Sequence, residues 1–415
     1  RIGASMSAVL AVRIFLPFAL GYMVCSVFRS INAVTGPEIA LDLGLSAGEL
    51  GLAVSLLFVG SVLAQIPVGI LLDRYDPRWV YGGTLMVCVA GAVVFAAGNT
   101  VAQLGLGRAM IAVGVASSIT ASFKVNATWF PAKNLPLVNG LTMAVGGLGL
   151  MAGTLPVAWA LETHSWRQIH VGVAALVAVC LVLVVVAAPA RPAGSGQTGN
   201  PMYGFATILG SLAFWRAAPI MMALMGSFGT MAQLWAGPWL RDVADLSVSA
   251  SANRLMLVAA AMSLSGLSTG PINAGARRLG ISPLGVGAGS AVIALAMLIL
   301  VWLQWVPNTT TITVIWIVFG FFAPLSFIIY AALAPQFPKS LTGRLNACMT
   351  LSWMLAAFVL QSAYGFVLDL YPATESGYAP KGHKAATLLL IVPTVGALIW
   401  YAISARFASP RRDKA

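Results

Sequence analysis

Charged residues are scarce in this sequence: Asp, Glu, Lys and Arg together make up 8% of its 415 residues. Soluble domains carry roughly 25% charged residues, so this composition excludes an ordinary soluble protein. Cysteine is also rare, and the four Cys lie far apart in apolar segments without a C-x-x-C spacing. That pattern favours packing roles over disulfides or metal binding. The sequence shows no Ser-His-Asp set, metal-ligand cluster or phosphate-binding Gly loop, so we expect neither an enzyme nor a cofactor.

Hydrophobic residues make up 59% of the chain, and its mean hydropathy is +0.91. Apolar runs of about 20 residues recur along the whole length, and such runs are typical of transmembrane helices. The first run is a full-length span with no A-x-A site after it, so we expect no cleavable signal peptide.

Turn residues and charges divide the apolar runs into twelve predicted spans. Their ranges are 12–34, 48–72, 79–98, 103–129, 137–161, 167–189, 216–240, 248–274, 281–304, 309–334, 344–370 and 384–407. The stretch "PARPAGSGQTGNP" between the sixth and seventh spans reads as a flexible linker, and "YGFATILGSLAFWR" after it as an interfacial segment. We therefore predict an all-α membrane protein of two six-helix bundles, 1–190 and 215–415, joined by 191–214.

Loop charges predict the orientation in the membrane. Fifteen of the 23 Lys and Arg residues fall in loops on one side, five on the other and three within spans. Positive residues stay in the cytoplasm, so both termini are expected inside, in a bacterial inner membrane. The net charge of +12 is then a topology signal, and no nucleic-acid partner is expected. The expected partners are the lipid bilayer and a small-molecule substrate, and we expect a monomer.

The two predicted bundles share a loop pattern. "GILLDRYDPRWVYGG" follows span 2 and "GPINAGARRLGISPLG" follows span 8, and both place Gly and then basic residues at a cytoplasmic turn. This pattern indicates an internal duplication, although the second copy lacks the acid found at Asp73. Transporters built from such repeats bind substrate near the bilayer midplane, at the repeat interface.

Two motifs resemble signatures of the major facilitator superfamily. "GILLDRYDPR" is similar to its G-x-L-x-D-R-x-G-R-R loop, with Asp76-Pro77 in place of Gly-Arg, and "LGLGRAMIAVGVAS" is similar to its span-4 motif. The resemblance implies an alternating-access transporter in which Asp73 pairs with basic groups or helix ends across the seam between the halves. The predicted gating residues are Asp73, Arg74, Arg78 and Arg108.

Span 1 carries one embedded cation, Arg29, with no acid within a helical turn. Such a charge is costly in the membrane, and residues of this kind mark functional sites. "GYMVCSVFRSINAVTGPEI" resembles span 1 of the organophosphate:phosphate antiporter branch at Tyr22, Arg29 and Pro37. That resemblance implies that Arg29 grips the anionic group of the substrate, with Tyr22 on the same helix face. The alternative is that Arg29 pairs with an acid on another span.

The departures from that branch affect the predicted substrate. Span 7 has no basic residue and span 5 has no His, so the two-arginine phosphate clamp is missing. Lys124 in span 4 is the candidate for a second positive charge; the alternative is that its side chain snorkels to the membrane surface. We therefore expect a monocarboxylate or a mixed organic anion, bearing a carboxylate, in preference to a phosphate ester. The predicted binding residues are Tyr22, Arg29, Lys124, Gln233, Trp235, Tyr330, Trp353 and Gln361.

Three other functions stay open. Met221 and Met225 are four residues apart in span 7, and thioethers select Cu(I), so a copper importer is one alternative. A proton-coupled exporter of drug-like compounds is another, although its span-5 Gly-Pro pair is absent. A receptor or structural membrane protein is the rival class.

The eleven acidic residues lie in loops or at span ends. Proton-driven symporters usually place an Asp, Glu or His deep in the bundle. Because the sequence shows none there, exchange, uniport or a proton carried by the substrate is favoured.

Overall fold

The structure is a computed structural model that describes residues 8–131, 134–189, 204–338, 341–374 and 377–404. Within those ranges, the side chains of residues 8–11, Asp73, Pro136, Thr342 and Gly343 are outside the description. The described chain has twelve helices long and apolar enough to cross a membrane. Their edges agree with the predicted spans to about four residues, and the predicted all-α fold class is confirmed.

Most of the spans are single helices, and four are interrupted. The continuous ones are span 2 (Ala47–Arg74), span 3 (Pro77–Ala97), span 4 (Val101–Trp129), span 6 (Trp166–Ala187), span 8 (Val248–Arg278), span 9 (Pro283–Trp302), span 11 (Thr342–Leu368) and span 12 (Pro380–Ser404). Span 1 (Ala8–Ser30) is followed after Ile31 by a helix over Asn32–Leu43, and span 5 comprises Leu135–Ala152 and Leu155–Leu161. Span 7 comprises Leu212–Thr230, a π-helix at Met231–Trp235 and Ala236–Asp242. Span 10 comprises Thr309–Leu325, a 3₁₀ turn at Ser326–Ile328, Ile329–Leu333 and a second 3₁₀ turn at Ala334–Gln336.

Side-chain caps begin several spans. Ser46 and Glu49 form a capping box at the start of span 2. Asp76 accepts a hydrogen bond from the Arg78 backbone N–H at the start of span 3, and Pro77 occupies the first turn. Pro is well suited to the first helical turn because its missing N–H has no partner there. The Asp76-Pro77 departure from the family signature therefore forms a helix start.

Six spans precede the linker and six follow it. Residues 190–203 of the predicted linker lie outside the described residues. A short helix at Phe205–Leu209 precedes span 7, and span 7 already begins at Leu212. The end of the predicted interfacial segment is therefore part of a span, because its aromatic and aliphatic side chains extend that helix.

The two halves meet along three pairs of spans: 2 with 11, 5 with 8, and 1 with 7. We call the end of the bundle that carries Asp42, Asp242 and Asp369 the outer end, following the loop-charge prediction. At that end the halves are in tight contact, since a Cβ on Gly237 would collide with the Ala33 carbonyl oxygen and one on Gly365 with the Ala47 carbonyl oxygen.

The opposite end of the bundle is looser. Cβ atoms at Gly69, Gly140 and Gly270, toward the other ends of spans 2, 5 and 8, would meet no atom within 4 Å. The structure therefore represents a conformation closed at the outer end.

Candidate substrate-binding site

A cavity of about 190 Å³ lies between the two halves. Spans 1, 2, 4 and 5 of the first half and spans 7, 8, 10 and 11 of the second half line it. Its polar side chains are Tyr22, Arg29, Ser61, Gln65, Gln233 and Thr350. Its apolar wall consists of Leu57, Phe58, Val115, Ala116, Ile119, Met143, Met262, Phe327, Trp353 and Met354. The described lining thus combines one cation with hydroxyl and amide groups and includes no carboxylate.

Arg29 is the only charged side chain among the described residues of this wall. It also lines an adjoining cavity of about 30 Å³ together with Gln233 and Ser30. The side chain is half-buried, and the described part of the chain offers it no hydrogen-bond acceptor or carboxylate partner. A desolvated guanidinium without a partner is costly, which makes this position suited to binding an anion.

Neighbouring spans hold the backbone around Arg29. The fully buried Arg108 in span 4 donates from Nη1 to the Phe28 carbonyl oxygen at 2.9 Å. Ser30 donates to the Leu150 carbonyl oxygen in span 5 at 2.7 Å. The span-1 helix is interrupted at Ile31, directly after these contacts. Spans 4 and 5 therefore anchor the residues on both sides of Arg29. Arg108, predicted as a gating residue, here holds a helix carbonyl of span 1.

Tyr22 lies two helical turns before Arg29 and reaches the same cavity. Its ring is 5% exposed and packs against span 5 at Gly146, where a Cβ would collide with the ring. The glycine is what allows the ring to pack directly on the span-5 backbone. Sequence spacing places Tyr22 and Arg29 on one face, and in the structure both lie at the cavity wall.

Gln233 reaches the cavity from the π-helix in span 7. A π-helix turn contains an extra residue, and such bulges within α-helices often occur at functional sites. Gln233 is 7% exposed and lines both cavities. Its amide is thus the polar group of span 7 that faces Arg29 across the space between the halves.

Trp353 and Tyr330 differ in their relation to the cavity. Trp353 lines it and packs edge-to-face on Phe58, with ring centroids 6.4 Å apart. Tyr330 is not part of the cavity wall, but Thr350 is. The Tyr330 hydroxyl lies 3.0 Å from the Thr350 hydroxyl. Tyr330 can therefore act on a ligand through Thr350. The prediction did not include Ser61, Gln65 or Thr350, although a Gln inside the apolar run of span 2 is a visible signal.

Trp235 and Gln361 do not reach the cavity. Trp235 is fully buried toward the outer end, where its Nε1 donates to the Gln361 carbonyl oxygen at 2.9 Å. Gln361 is also fully buried. Both residues, which were predicted to bind substrate, therefore lie in the seam between the halves and not at the cavity wall. Lys124 is half-buried in span 4 and is not among the lining residues.

None of the contacts described for Asp73, Arg74 and Arg78, three of the predicted gating residues, joins the two halves. The Asp73 side chain lies outside the described part of the structure, and Arg74 is exposed at the end of span 2. Arg78 pairs with Asp76 in its own loop, with Nε 3.1 Å from Oδ2. In this conformation Arg78 therefore stabilises the start of span 3, and its ion pair with Asp76 lies within one half of the protein.

A different acid, Asp369, crosses the seam at the outer end. Its two carboxylate oxygens accept hydrogen bonds from the backbone N–H groups of Ala47 and Gly48, each at 2.8 Å. Farther along the same pair of spans, the Ser55 and Ser362 hydroxyls are 2.8 Å apart. Spans 2 and 11 are thus joined by polar contacts where the cavity is closed.

The methionine pair lies in the packed core. Met221 is 0% exposed and Met225 is 1% exposed, and neither lines the central cavity. Among the described residues no group of three or more His, Cys, Asp and Glu side chains is arranged to hold a metal ion. The packing role therefore accounts for both methionines.

The sequence model of the Major Facilitator Superfamily matches residues 18–361. The chain belongs to the major facilitator superfamily. This membership and the names of its relatives place the chain among membrane transport proteins.

Three proteins illustrate its relatives. The chain is 33% identical over 141 residues to the uncharacterized transporter YybO of Bacillus subtilis, covering 34% of this chain and 32% of that protein. It is 34% identical over 111 residues to the probable galactarate/D-glucarate transporter GudP of Pseudomonas putida, covering 25% of this chain and 24% of that one. The matches thus span a third or less of these relatives.

Among solved structures, a bacterial homologue of the human lysosomal transporter Spinster, in an inward-facing and unoccupied conformation, is similar with a TM-score of 0.74. The similarity covers 97% of each chain at 16% identity, and it shows the fold.

Proposed function

We propose that the protein moves a small organic anion, bearing a carboxylate, across the bacterial inner membrane by alternating access. Arg29 binds the anionic group, and Tyr22 and Gln233 bind the polar part of the substrate. The observation that carries this proposal is the partnerless Arg29 guanidinium, which faces a central cavity whose described lining has no acid. A bound carboxylate would supply the missing partner through a bidentate hydrogen-bonded pair.

The rest of the lining supports an organic anion. Phe58, Trp353 and several aliphatic side chains form most of the wall, so a substrate with a carbon skeleton gains contacts that an inorganic ion lacks. A phosphate ester concentrates close to two negative charges on one group, more than one guanidinium neutralises, whereas each carboxylate carries a single charge. The described lining offers no second cation. The relative GudP bears the name of a transporter of sugar diacids, which agrees with a carboxylate-bearing substrate.

Orientation and assembly follow the sequence argument. The excess of basic residues in the loops of one side supports cytoplasmic termini and an inner-membrane location. Each half contributes side chains to one cavity, so a single chain forms a complete site. We propose that the protein functions as a monomer.

The test is a thermal-stability screen of the purified protein in detergent. The probes are D-gluconate, D-glucarate, lactate, glucose 6-phosphate, nitrate and Cu(I). A ligand that binds only the folded state stabilises it in proportion to RT ln(1 + [L]/Kd). We expect one of the carboxylates to raise the melting temperature of the wild type and of Lys124→Gln, but not that of Arg29→Gln.

Two results would overturn the proposal. One is stabilisation by glucose 6-phosphate or Cu(I) but by none of the carboxylates. The other is equal stabilisation of the wild type and Arg29→Gln by the same carboxylate. The Lys124→Gln variant is the matched control, because it also removes one cation from a span but leaves the cavity wall unchanged.

A further inference from the structure

A buried cluster of titratable side chains lies at the outer end, away from the central cavity. Asp242 is the last residue of span 7, and His383 lies in the first turn of span 12. The His383 Nε2 is 2.9 Å from Asp242 Oδ2, and their side chains are 0% and 2% exposed. The Tyr364 hydroxyl of span 11 is 3.1 Å from His383 Nδ1. Spans 7, 11 and 12 thus meet at an Asp–His–Tyr chain that the central site does not use.

Several other groups face this cluster. The Tyr378 backbone N–H, in the loop between spans 11 and 12, donates to Asp242 Oδ2 at 3.1 Å. Arg241 adjoins Asp242 on span 7, and Glu38 and Asp369 are the other charged groups near Arg241 and Tyr378. Burial raises the pKa of Tyr378 to about 12, so its hydroxyl remains neutral at physiological pH. Among the side chains of the cluster, the imidazole of His383 has the ordinary pKa that lies nearest to neutrality, so it is the candidate proton acceptor.

The hydrogen bonds around His383 are compatible with a neutral imidazole. With Asp242 ionised, Nε2 donates to the carboxylate and Nδ1 accepts from the Tyr364 hydroxyl. A proton added at Nδ1 reverses that second bond, so the Tyr364 hydroxyl must donate elsewhere. The acceptors within reach are the His383 carbonyl oxygen at 3.5 Å, which already accepts from Thr387 at 2.7 Å, and the Thr387 hydroxyl itself. Proton uptake thus replaces the direct Tyr364–His383 bond with longer or shared ones, and it places a cation in a fully buried site beside Asp242.

The cluster adjoins the seam through Trp235. The Tyr364 ring stacks on Trp235 with centroids 5.4 Å apart, and Tyr378 packs on the same indole at 5.8 Å. On its other side Trp235 reaches span 2, where a Cβ on Gly51 would lie 3.1 Å from Cζ2. A change in the position of Tyr364 is therefore passed to the residue that fills the seam between spans 2 and 11.

We propose that the His383–Asp242 pair is a proton-binding site that controls opening of the outer end. Protonation of His383 reverses its bond to Tyr364, loosens Trp235 and favours the conformation in which the outer end is open and water reaches the cluster. The open state then binds the proton more tightly than the closed state. By linkage, acidic pH shifts the population toward the outward-open state, and neutral or basic pH toward the closed one.

The experiment measures a distance across the outer end as a function of pH, with no substrate present. Spin labels are attached to the double variant Glu162→Cys, Val248→Cys, which places one label on each half beside the outer end. The four native cysteines are buried, which favours labelling at the introduced positions. The protein is reconstituted in nanodiscs, and the distance distribution is recorded between about pH 5 and 8, the range in which His titrates. A second pair, Trp79→Cys with Leu279→Cys, reports the opposite end.

We expect the long-distance population at the outer end to rise as the pH falls. The ratio of the long-distance to the short-distance population should rise by up to about tenfold for each unit by which the pKa of His383 differs between the open and closed states. The distance between the labels of the opposite pair should shorten in parallel.

In His383→Gln this pH response should be absent. In Asp242→Asn the midpoint should move to lower pH, because the amide does not stabilise an imidazolium; this variant also tests the proposal if His383→Gln does not fold. His164→Gln is the matched control, since His164 is exposed in an outer loop, and it should respond as the wild type does.

The proposal is overturned if the wild-type distances do not change with pH, if His383→Gln keeps the full response, or if His164→Gln abolishes it. Because no substrate is added, these outcomes are independent of which anion the central cavity binds.

Discussion

The carboxylate of Asp369 at the end of span 11 caps the first turn of span 2, accepting the Ala47 backbone N–H at 2.8 Å. The second oxygen accepts the Gly48 N–H at 2.8 Å. Backbone N–H groups in the first turn of a helix lack intrahelical partners, and the helix dipole favours a negative charge there. This contact joins the two halves at the closed end. Asp73 lies in the last turn of span 2, at the opposite end of the same pair of spans, so we expect its carboxylate to make a similar contact with the first turn of span 11 when that end closes.

We first predict that Asp369→Asn weakens closure of the outer end. The amide retains one acceptor oxygen and loses the charge, and a hydrogen bond to a charged group contributes about 1.5–3 kcal/mol. The open population should increase by roughly ten- to 100-fold. The measurement is the reaction rate of a membrane-impermeant maleimide with Ser55→Cys, a position buried in the seam opposite Ser362.

The control for this experiment is Asp245→Asn in the same Ser55→Cys background. Asp245 is exposed at the outer end and has a φ of 50°, a conformation that Asn tolerates well. Equal labelling rates in Asp369→Asn and the parent protein would show that the Asp369 cap does not hold the outer end closed.

A second prediction separates the shape of the Arg29 side chain from its charge. Lys keeps the charge but lacks the planar fork, so Arg29→Lys should weaken anion binding by about 1.5–3 kcal/mol, and Arg29→Gln by more. Tyr22→Phe loses a single hydroxyl bond, worth about 0.5–1.5 kcal/mol. Calorimetric titration with the carboxylate identified in the stability screen gives these differences. Wild-type affinity in Arg29→Gln would assign Arg29 a structural role.

A third prediction assigns different roles to Gln233 and Trp235 of span 7: substrate binding and closure of the outer end. Gln233 lines the cavity and Trp235 fills the seam. Gln233→Ala should lower anion affinity and leave labelling of Ser55→Cys unchanged. Trp235→Phe keeps an aromatic ring but loses the bond to the Gln361 carbonyl, so it should raise the labelling rate instead. If both variants change the same quantity, the division between binding and closure at this π-helix is wrong.

The sequence predicted the fold, and it singled out Arg29 and Tyr22 at what proves to be the cavity wall, because these signals are local. An arginine inside an apolar run is rare, and Tyr22 follows the α-helical period on the same face. Gln233 and Trp235 were predicted to line the same cavity, but residues two positions apart in a helix do not share a face. In the structure Gln233 lines the cavity and Trp235 packs in the seam. The Asp242–His383 pair could not be foreseen, since the two residues are 141 positions apart and meet only through packing of spans 7 and 12.

The final prediction concerns the closest approach of the two halves. Gly237 in span 7 lies so near the Ala33 carbonyl oxygen of the first half that a Cβ would collide with it. The closed outer end therefore requires a residue without a side chain at this position. Gly237→Ala should destabilise the closed state by about 1–3 kcal/mol, the usual cost of overpacking. The same change should not affect the open state, in which spans 1 and 7 separate.

The expected result is a population shift toward the outward-open state, seen as a longer distance between labels at Glu162→Cys and Val248→Cys. Gly270→Ala is the matched control: it lies within span 8, where a Cβ would meet no atom within 4 Å. Ala is a better helix former than Gly by about 1 kcal/mol, so this control should be at least as stable as the wild type and keep its distances. A Gly237→Ala protein that folds and stays closed at the outer end would mean that spans 1 and 7 can separate there without opening the seam. Closure would then depend on the contacts of Asp369 and Trp235 between spans 2 and 11.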